Sequence, residues 1–234
     1  MKSGLKNFVL VVVSLGIVGV ARAIPVGTSL SIFDGVNPVI TIDDNLTGDL
    51  NPATGELTLS TNVGVWSLSI STGVTKPALG APKVPIMDLV IQASSTNAGT
   101  LQYVFSDTGF TPFETLNSTV SGHVISGAPT TVNYSVYGDA SNNLGALTTQ
   151  LTSTGTIPLP VLTTNSGLLS LGSLFSLSEV VQINASGASA VSVDASLNVS
   201  PIPEPSSVEF TFLGLAFLVV GLVHRRRSLH GAIG

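Results

Sequence analysis

Apolar and hydroxyl-bearing residues take turns along much of this chain, and that rhythm leaves few folds open. In "WSLSISTG", Trp66, Leu68 and Ile70 alternate with serines, and in "LQYVFSD", Leu101, Tyr103 and Phe105 share one face. "VNYSVYGD" aligns Val132, Tyr134 and Val136, and "VSVDASLNVS" repeats the device with Val191, Val193, Ala195, Leu197 and Val199. A period of two with serine and threonine outward means strands with one buried and one wet face, as in antiparallel sheets. Turn signals at Asn51-Pro52, Asn97-Ala98-Gly99, Gly127-Ala128-Pro129 and Ser186-Gly187 separate the runs. The expectation is an all-β chain, a single antiparallel β-sandwich of about ten strands with a jelly roll as the alternative topology. Only the stretch around residues 164 to 180 leaves room for a short helix.

The sandwich is expected over residues 24–200, because both ends read as targeting devices. Residues 1–23 place Lys2 and Lys6 before an apolar stretch from Phe8 to Val20, then Ala21-Arg22-Ala23. Small residues at Ala21 and Ala23 suit signal peptidase cleavage after Ala23, and the apolar stretch is short for a span. At the other end an apolar segment, about 208–223, ends at Arg225, Arg226 and Arg227, with residues 228–234 beyond. Sixteen residues give roughly 24 Å of helix against a hydrocarbon core of roughly 30 Å, a marginal transmembrane helix. The arginines resist translocation and are expected to act as the stop-transfer signal, leaving 228–234 as a cytoplasmic tail. Pro201, Pro203 and Pro205 keep the stretch before the span extended and poor in amide donors, so it stays accessible outside the membrane.

Pro203-Glu204-Pro205, the apolar run and the arginine cluster together resemble the PEP-CTERM sorting signal of exported proteins of Gram-negative bacteria. That resemblance implies that residues 201–227 are read by exosortase, a membrane protease or transpeptidase, in organisms that also make exopolysaccharide. It assigns the sorting motif to Pro203, Glu204 and Pro205. Glu209 at the start of the span and the seven residues after the arginines depart from the usual pattern. The region between the ends faintly resembles the globular part of such proteins in "GVWSLSISTGVTKPALG", "YVFSDTGF" and "FSLSEVVQINASG", for which the resemblance implies no activity.

Charge and chemistry narrow the function. Between the ends there are only Lys76 and Lys83 against eleven acids, a formal charge of about −9, so nucleic acid is excluded as a partner. With no cysteine there is no disulfide, thiolate chemistry or cysteine zinc site. The loop "DDNLTGDLNPATGE" offers Asp43, Asp44, Asn45, Asp49 and Glu56 as oxygen ligands for calcium. Read as a helix-loop-helix calcium loop from Asp43, it fails, because Thr54 falls where the bidentate glutamate is needed. A solvated turn whose aspartates bond their own backbone is the preferred reading. His123 is the one histidine of the mature region and no Gly-x-Ser-x-Gly elbow accompanies it, so it reads as a strand-edge or surface residue. Asp43 and Asp44 alternate faces and form no ready acid pair.

"TKPALGAPKVP", 75 to 85, reads as an exposed, solubilising loop, with a cationic patch for an anionic glycan as the sharper alternative. A lysine–asparagine crosslink is not expected there, because neither lysine falls within a strand. The sequons at Asn45, Asn117, Asn133, Asn184 and Asn198 are assigned no role. The expected function is therefore non-enzymatic and cofactor-free: an exported cell-surface or matrix protein, held transiently at the membrane, processed by exosortase and associated with exopolysaccharide. A membrane-anchored glycan- or calcium-binding module is the alternative, and a secreted glycan-active enzyme the more distant one.

Overall fold

The structure is a computed structural model that describes residues 27–113, 115–168 and 171–200. The expected signal peptide, the expected sorting motif Pro203-Glu204-Pro205, the apolar segment and the arginine cluster lie outside these residues.

Thirteen strands occur among the described residues, with no helix. They are β1 (Thr28–Phe33), β2 (Ile40–Asp43), β3 (Glu56–Val63), β4 (Trp66–Val74), β5 (Gly80–Ala81), β6 (Val84–Ser95) and β7 (Gly99–Phe110). The chain continues through β8 (Thr115–Gly127), β9 (Thr130–Asp139), β10 (Thr149–Pro158), β11 (Val161–Leu168), β12 (Phe175–Ala185) and β13 (Ser189–Ser200). The stretch with room for a helix is instead β11 and β12, whose residues pair with neighbours on long registers: Val161 to Leu168 run against Gly122 to Thr115.

Two antiparallel sheets pack face to face. The first has the order β10-β9-β12-β7-β1-β2, and the second β11-β8-β13-β6-β4-β3 with β5 beside β6. From β6 to β13 the chain changes sheet at every connection except the β9–β10 hairpin. The resulting four-strand orders, β7-β12-β9-β10 and β6-β13-β8-β11, are those of a jelly roll. The alternative topology is thus the observed one, widened by β1 and β2 on one sheet and by β3 and β4 on the other.

The core lies between the sheets, where the alternating apolar faces meet. Tyr103, Phe105 and Leu101 from β7 and Val181 and Ile183 from β12 are fully buried from one side. Met87, Leu89 and Ile91 from β6 and Val191, Val193 and Leu197 from β13 are buried from the other. Trp66 is also buried, and its indole Nε1 donates to the Thr100 carbonyl at 3.0 Å, satisfying its one polar atom.

One strand breaks the expected rhythm. A bulge in the β4–β6 pairing between Leu68 and Ile70 turns Ile70 out, 55% exposed, and brings Ser71 inward. Ser71 then shares a hydrogen bond with the buried Tyr103 hydroxyl at 3.1 Å, so the inverted serine has a partner.

Candidate functional site

The two polar loops singled out in the sequence, far apart along the chain, meet at one end of the sandwich. A cleft of about 410 Å³ opens there, walled by Leu46, Pro77 and Leu144 and edged by Asp43, Asp44 and Thr54, with Lys76 in its lining. Leu46 is 62% and Leu144 37% exposed, so apolar surface faces the opening. An apolar concavity with a few polar groups at its rim has the form of a small-molecule site.

The loop on one side builds itself from its own carboxylates. Asp44 Oδ2 accepts from the Gly55 amide at 2.9 Å, and its Oδ1 from the Asn45 side chain at 3.1 Å. Asp49 Oδ1 takes the amides of Asn51 and Thr58 at 2.9 and 3.0 Å, and its Oδ2 takes that of Asn45 at 3.1 Å. Glu56 Oε2 accepts from the Asn51 side chain at 2.7 Å. Asn45 holds a positive φ of 59°, one of the few side chains tolerant of that conformation. These bonds match the preferred reading of the loop, a turn whose aspartates bond its own backbone. Among the described residues no group of three Asp, Glu, His or Cys side chains is placed to hold a metal ion. The carboxylates of Asp44, Asp49 and Glu56 brace the turn.

The loop on the other side departs further from expectation. Lys76 is not a solvated surface cation: its side chain is only 11% exposed and pairs with Asp107 of β7, which is 1% exposed. Lys76 Nζ donates to both Asp107 oxygens at 2.8 Å and to the Thr108 carbonyl. It lies 4.4 Å from the centre of the Phe110 ring. Thr75 Oγ1 donates to Asp107 Oδ2 at 2.8 Å, and the Thr108 amide to Oδ1 at 2.6 Å. Burial pushes the Asp107 carboxyl up, while the Lys76 charge and these hydrogen bonds pull it back. No local signal marks this pair, because its members stand 31 residues apart.

Two further groups of acids occupy the sheets. On the outer face of the second sheet, Asp88 of β6 and Asp194 of β13 are diagonal neighbours, Asp194 standing opposite Val90. Burial, then the charge of Asp194 and a hydrogen bond with it, raise Asp88 to about 6. Ser121, His123, Ser192 and Asp194 border a shallower depression of about 370 Å³ beside them. His123 is exposed at the end of the β8–β11 pairing, as a surface residue. Inside the sandwich, Glu179 of β12 is wholly buried, with the Tyr134 hydroxyl donating to its Oε1 at 2.5 Å. Its Oε2 has no hydrogen-bond partner among the described residues. Burial raises Glu179 well above the ordinary 4.5, which favours its protonated form.

No family model and no curated protein matches the sequence. Among solved structures, the chain is similar to the carbohydrate-binding module TmCBM61 in complex with β-1,4-galactotriose. That likeness has 9% identity over 66% of this chain and 92% of that one, with a TM-score of 0.34. A carbohydrate-binding module of promiscuous specificity from the β-sandwich superfamily matches at 15% identity, over 72% of each chain, with a TM-score of 0.31. The enzymatically active domain of tailspike protein 4 of bacteriophage CBA120 matches at 13% identity and a TM-score of 0.29. It covers 56% of this chain and 19% of that one. Likeness at this level says nothing of what this chain binds.

Proposed function

We propose that this chain is an exported, non-enzymatic protein of the cell surface or extracellular matrix whose β-sandwich holds neutral polysaccharide in the end cleft. The observation that carries the reading is the cleft itself. Leu46, Pro77 and Leu144 offer apolar surface to the C–H face of a sugar ring, while Asp43 and Thr54 stand at the rim to accept from its hydroxyls. The acidic surroundings favour an uncharged polymer over an acidic one. Enzymatic hydrolysis fits poorly with the carboxyl groups of the two sheets. Asp88 and Asp194 are in direct hydrogen-bonding contact, too close to flank a scissile bond, and Glu179 is sealed in the core.

Export is ascribed to residues 1–23, and sorting by exosortase to Pro203, Glu204, Pro205 and the following segment ending at Arg225, Arg226 and Arg227. These sequence features support the destination, and the cleft supports the role there.

Native gels cast with soluble neutral polysaccharides, and in parallel with alginate, test the binding. Retardation is expected in at least one neutral gel and not in alginate, and Leu46→Ser with Leu144→Ser, both exposed positions, is expected to abolish it. Unchanged mobility in every gel, or retardation that survives the paired substitution, overturns the cleft as the site. For the destination, residues 201–234 fused to an unrelated exported reporter are expected to retain it at the membrane before release. A reporter never found at the membrane rejects that half of the reading.

A further inference from the structure

We infer that Lys76 and Asp107 condense spontaneously into an isopeptide bond that ties the two sheets together covalently. The inference is independent of glycan binding and rests on four features of the buried pair.

The reacting groups are already in contact. Nζ lies 2.8 Å from both carboxyl oxygens, and its hydrogen bond to the Thr108 carbonyl anchors it there. Held partners of this kind react without the entropy cost of meeting. The two oxygens are also distinguished by their donors. The Thr108 amide, 2.6 Å from Oδ1, is placed to hold the negative charge that develops there as Nζ adds to the carboxyl carbon. The Thr75 hydroxyl, 2.8 Å from Oδ2, is a proton donor to the oxygen that departs.

Water is largely excluded from the reaction. The side chains are 11% and 1% exposed, and the Phe110 ring lies over the amine. Desolvation also sets the direction, since a buried ion pair bears a desolvation penalty on two charges, whereas the amide is neutral and the released water joins the solvent. The upward push of burial on Asp107 runs the same way, toward the neutral acid and neutral amine that react.

The step balances without an added reagent. An Nζ–Cγ bond forms and the Cγ–Oδ2 bond breaks. Of the three ammonium hydrogens one stays on the amide nitrogen, and two leave with Oδ2 as water. Lys76 lies two residues beyond the end of β4 and Asp107 lies within β7, so the link ties the exit of β4 to a strand of the opposite sheet. In a chain without cysteine, it supplies the restraint on unfolding that a disulfide gives elsewhere. The ground for expecting no lysine–asparagine crosslink, that neither lysine falls within a strand, does not apply to this pair. Lys76 need not lie within a strand, because the β4 exit is pinned against β7, and its partner is an aspartate.

Denaturing mass spectrometry of the purified full chain, combined with chymotryptic peptide mapping, tests this. The chain is expected to weigh one water less than the sequence between the two ends that the peptide map defines, with the deficit on a single joined pair of peptides carrying Lys76 and Asp107. Asp107→Asn is expected to lose ammonia and converge on the same mass as the unsubstituted chain. Lys76→Arg is expected to keep its full mass. Either of two results overturns the inference: a folded chain at full mass whose Asp107→Asn form differs by the amide-for-acid difference, or a water deficit confined to one unbranched peptide, as a succinimide gives. The comparison of the unsubstituted chain with Asp107→Asn stands even if Lys76→Arg fails to fold.

Discussion

Glu179 shows how a single core residue sets the response of the fold to pH. Its neighbours in β12, Leu177 and Val181, face the core with it, and only the Tyr134 hydroxyl meets its carboxyl group. Because its folded-state value is raised well above 4.5, the native chain retains a proton that the unfolded chain has released. Its contribution to stability is therefore fully present below pH 4.5 and declines as pH rises above it, by about 1.4 kcal/mol per pH unit until the folded group ionises. Thermal melts from pH 4 upward are expected to show that decline, and Glu179→Gln to remove this residue's share of the slope. An identical slope in the variant assigns the effect elsewhere. Sequence carried a trace of this residue, since "FSLSEVVQ" places Glu179 in phase with Leu177 and Val181. Lys76 was different: the carboxylate, the carbonyl and the ring around its amine come from β7, and nothing in "TKPALG" announces a strand 31 residues on.

At the level of the strand, facing pairs across the core fix which residues are small. Gly73 of β4 lies against Phe105 of β7, and a Cβ at that position would stand 2.6 to 2.9 Å from three atoms of the Phe105 ring. Gly73→Ala is expected to cost about 1–3 kcal/mol in denaturant unfolding through overpacking. Combined with Phe105→Leu, it is expected to cost less than the sum of the two single changes, because the smaller side chain leaves room for the methyl. Strict additivity would show that the contact does not limit packing. The inward sets of β7, β9 and β13 were legible from alternation alone, since each of those strands keeps its period over the quoted run. The set in β4 was not, because a bulge adds one residue to one strand only, and the slip between Leu68 and Ile70 is visible only against β6. The stretch 164–180 misled for a related reason. Its leucines are spaced without strict alternation, and pairing with β8, β7 and β9 made the choice.

For the whole molecule, two sheets and an antiparallel arrangement followed from sequence, but strand order did not. Alternation states which face is dry and is silent about neighbours, and in this topology most neighbours are remote: β13 lies between β6 and β8, and β12 between β7 and β9. The cleft was hidden for the same reason, since Asp44, Lys76 and Leu144 come from three separate connections. Native-state hydrogen exchange is expected to be slowest in β6, β7, β12 and β13, which have a hydrogen-bonded strand on each side. It is expected to be fastest in β2 and β10, at the borders of the first sheet. Faster exchange in β13 than in β10 would contradict that ordering. The position of β13 has a mechanical side. It is the strand from which the chain runs on to residue 201, so tension on the tail loads the middle of a sheet, where ladders to β6 and β8 share the force. A protein tugged by its C-terminal end thus resists first with two rows of hydrogen bonds in shear, and no border strand is offered to be unzipped.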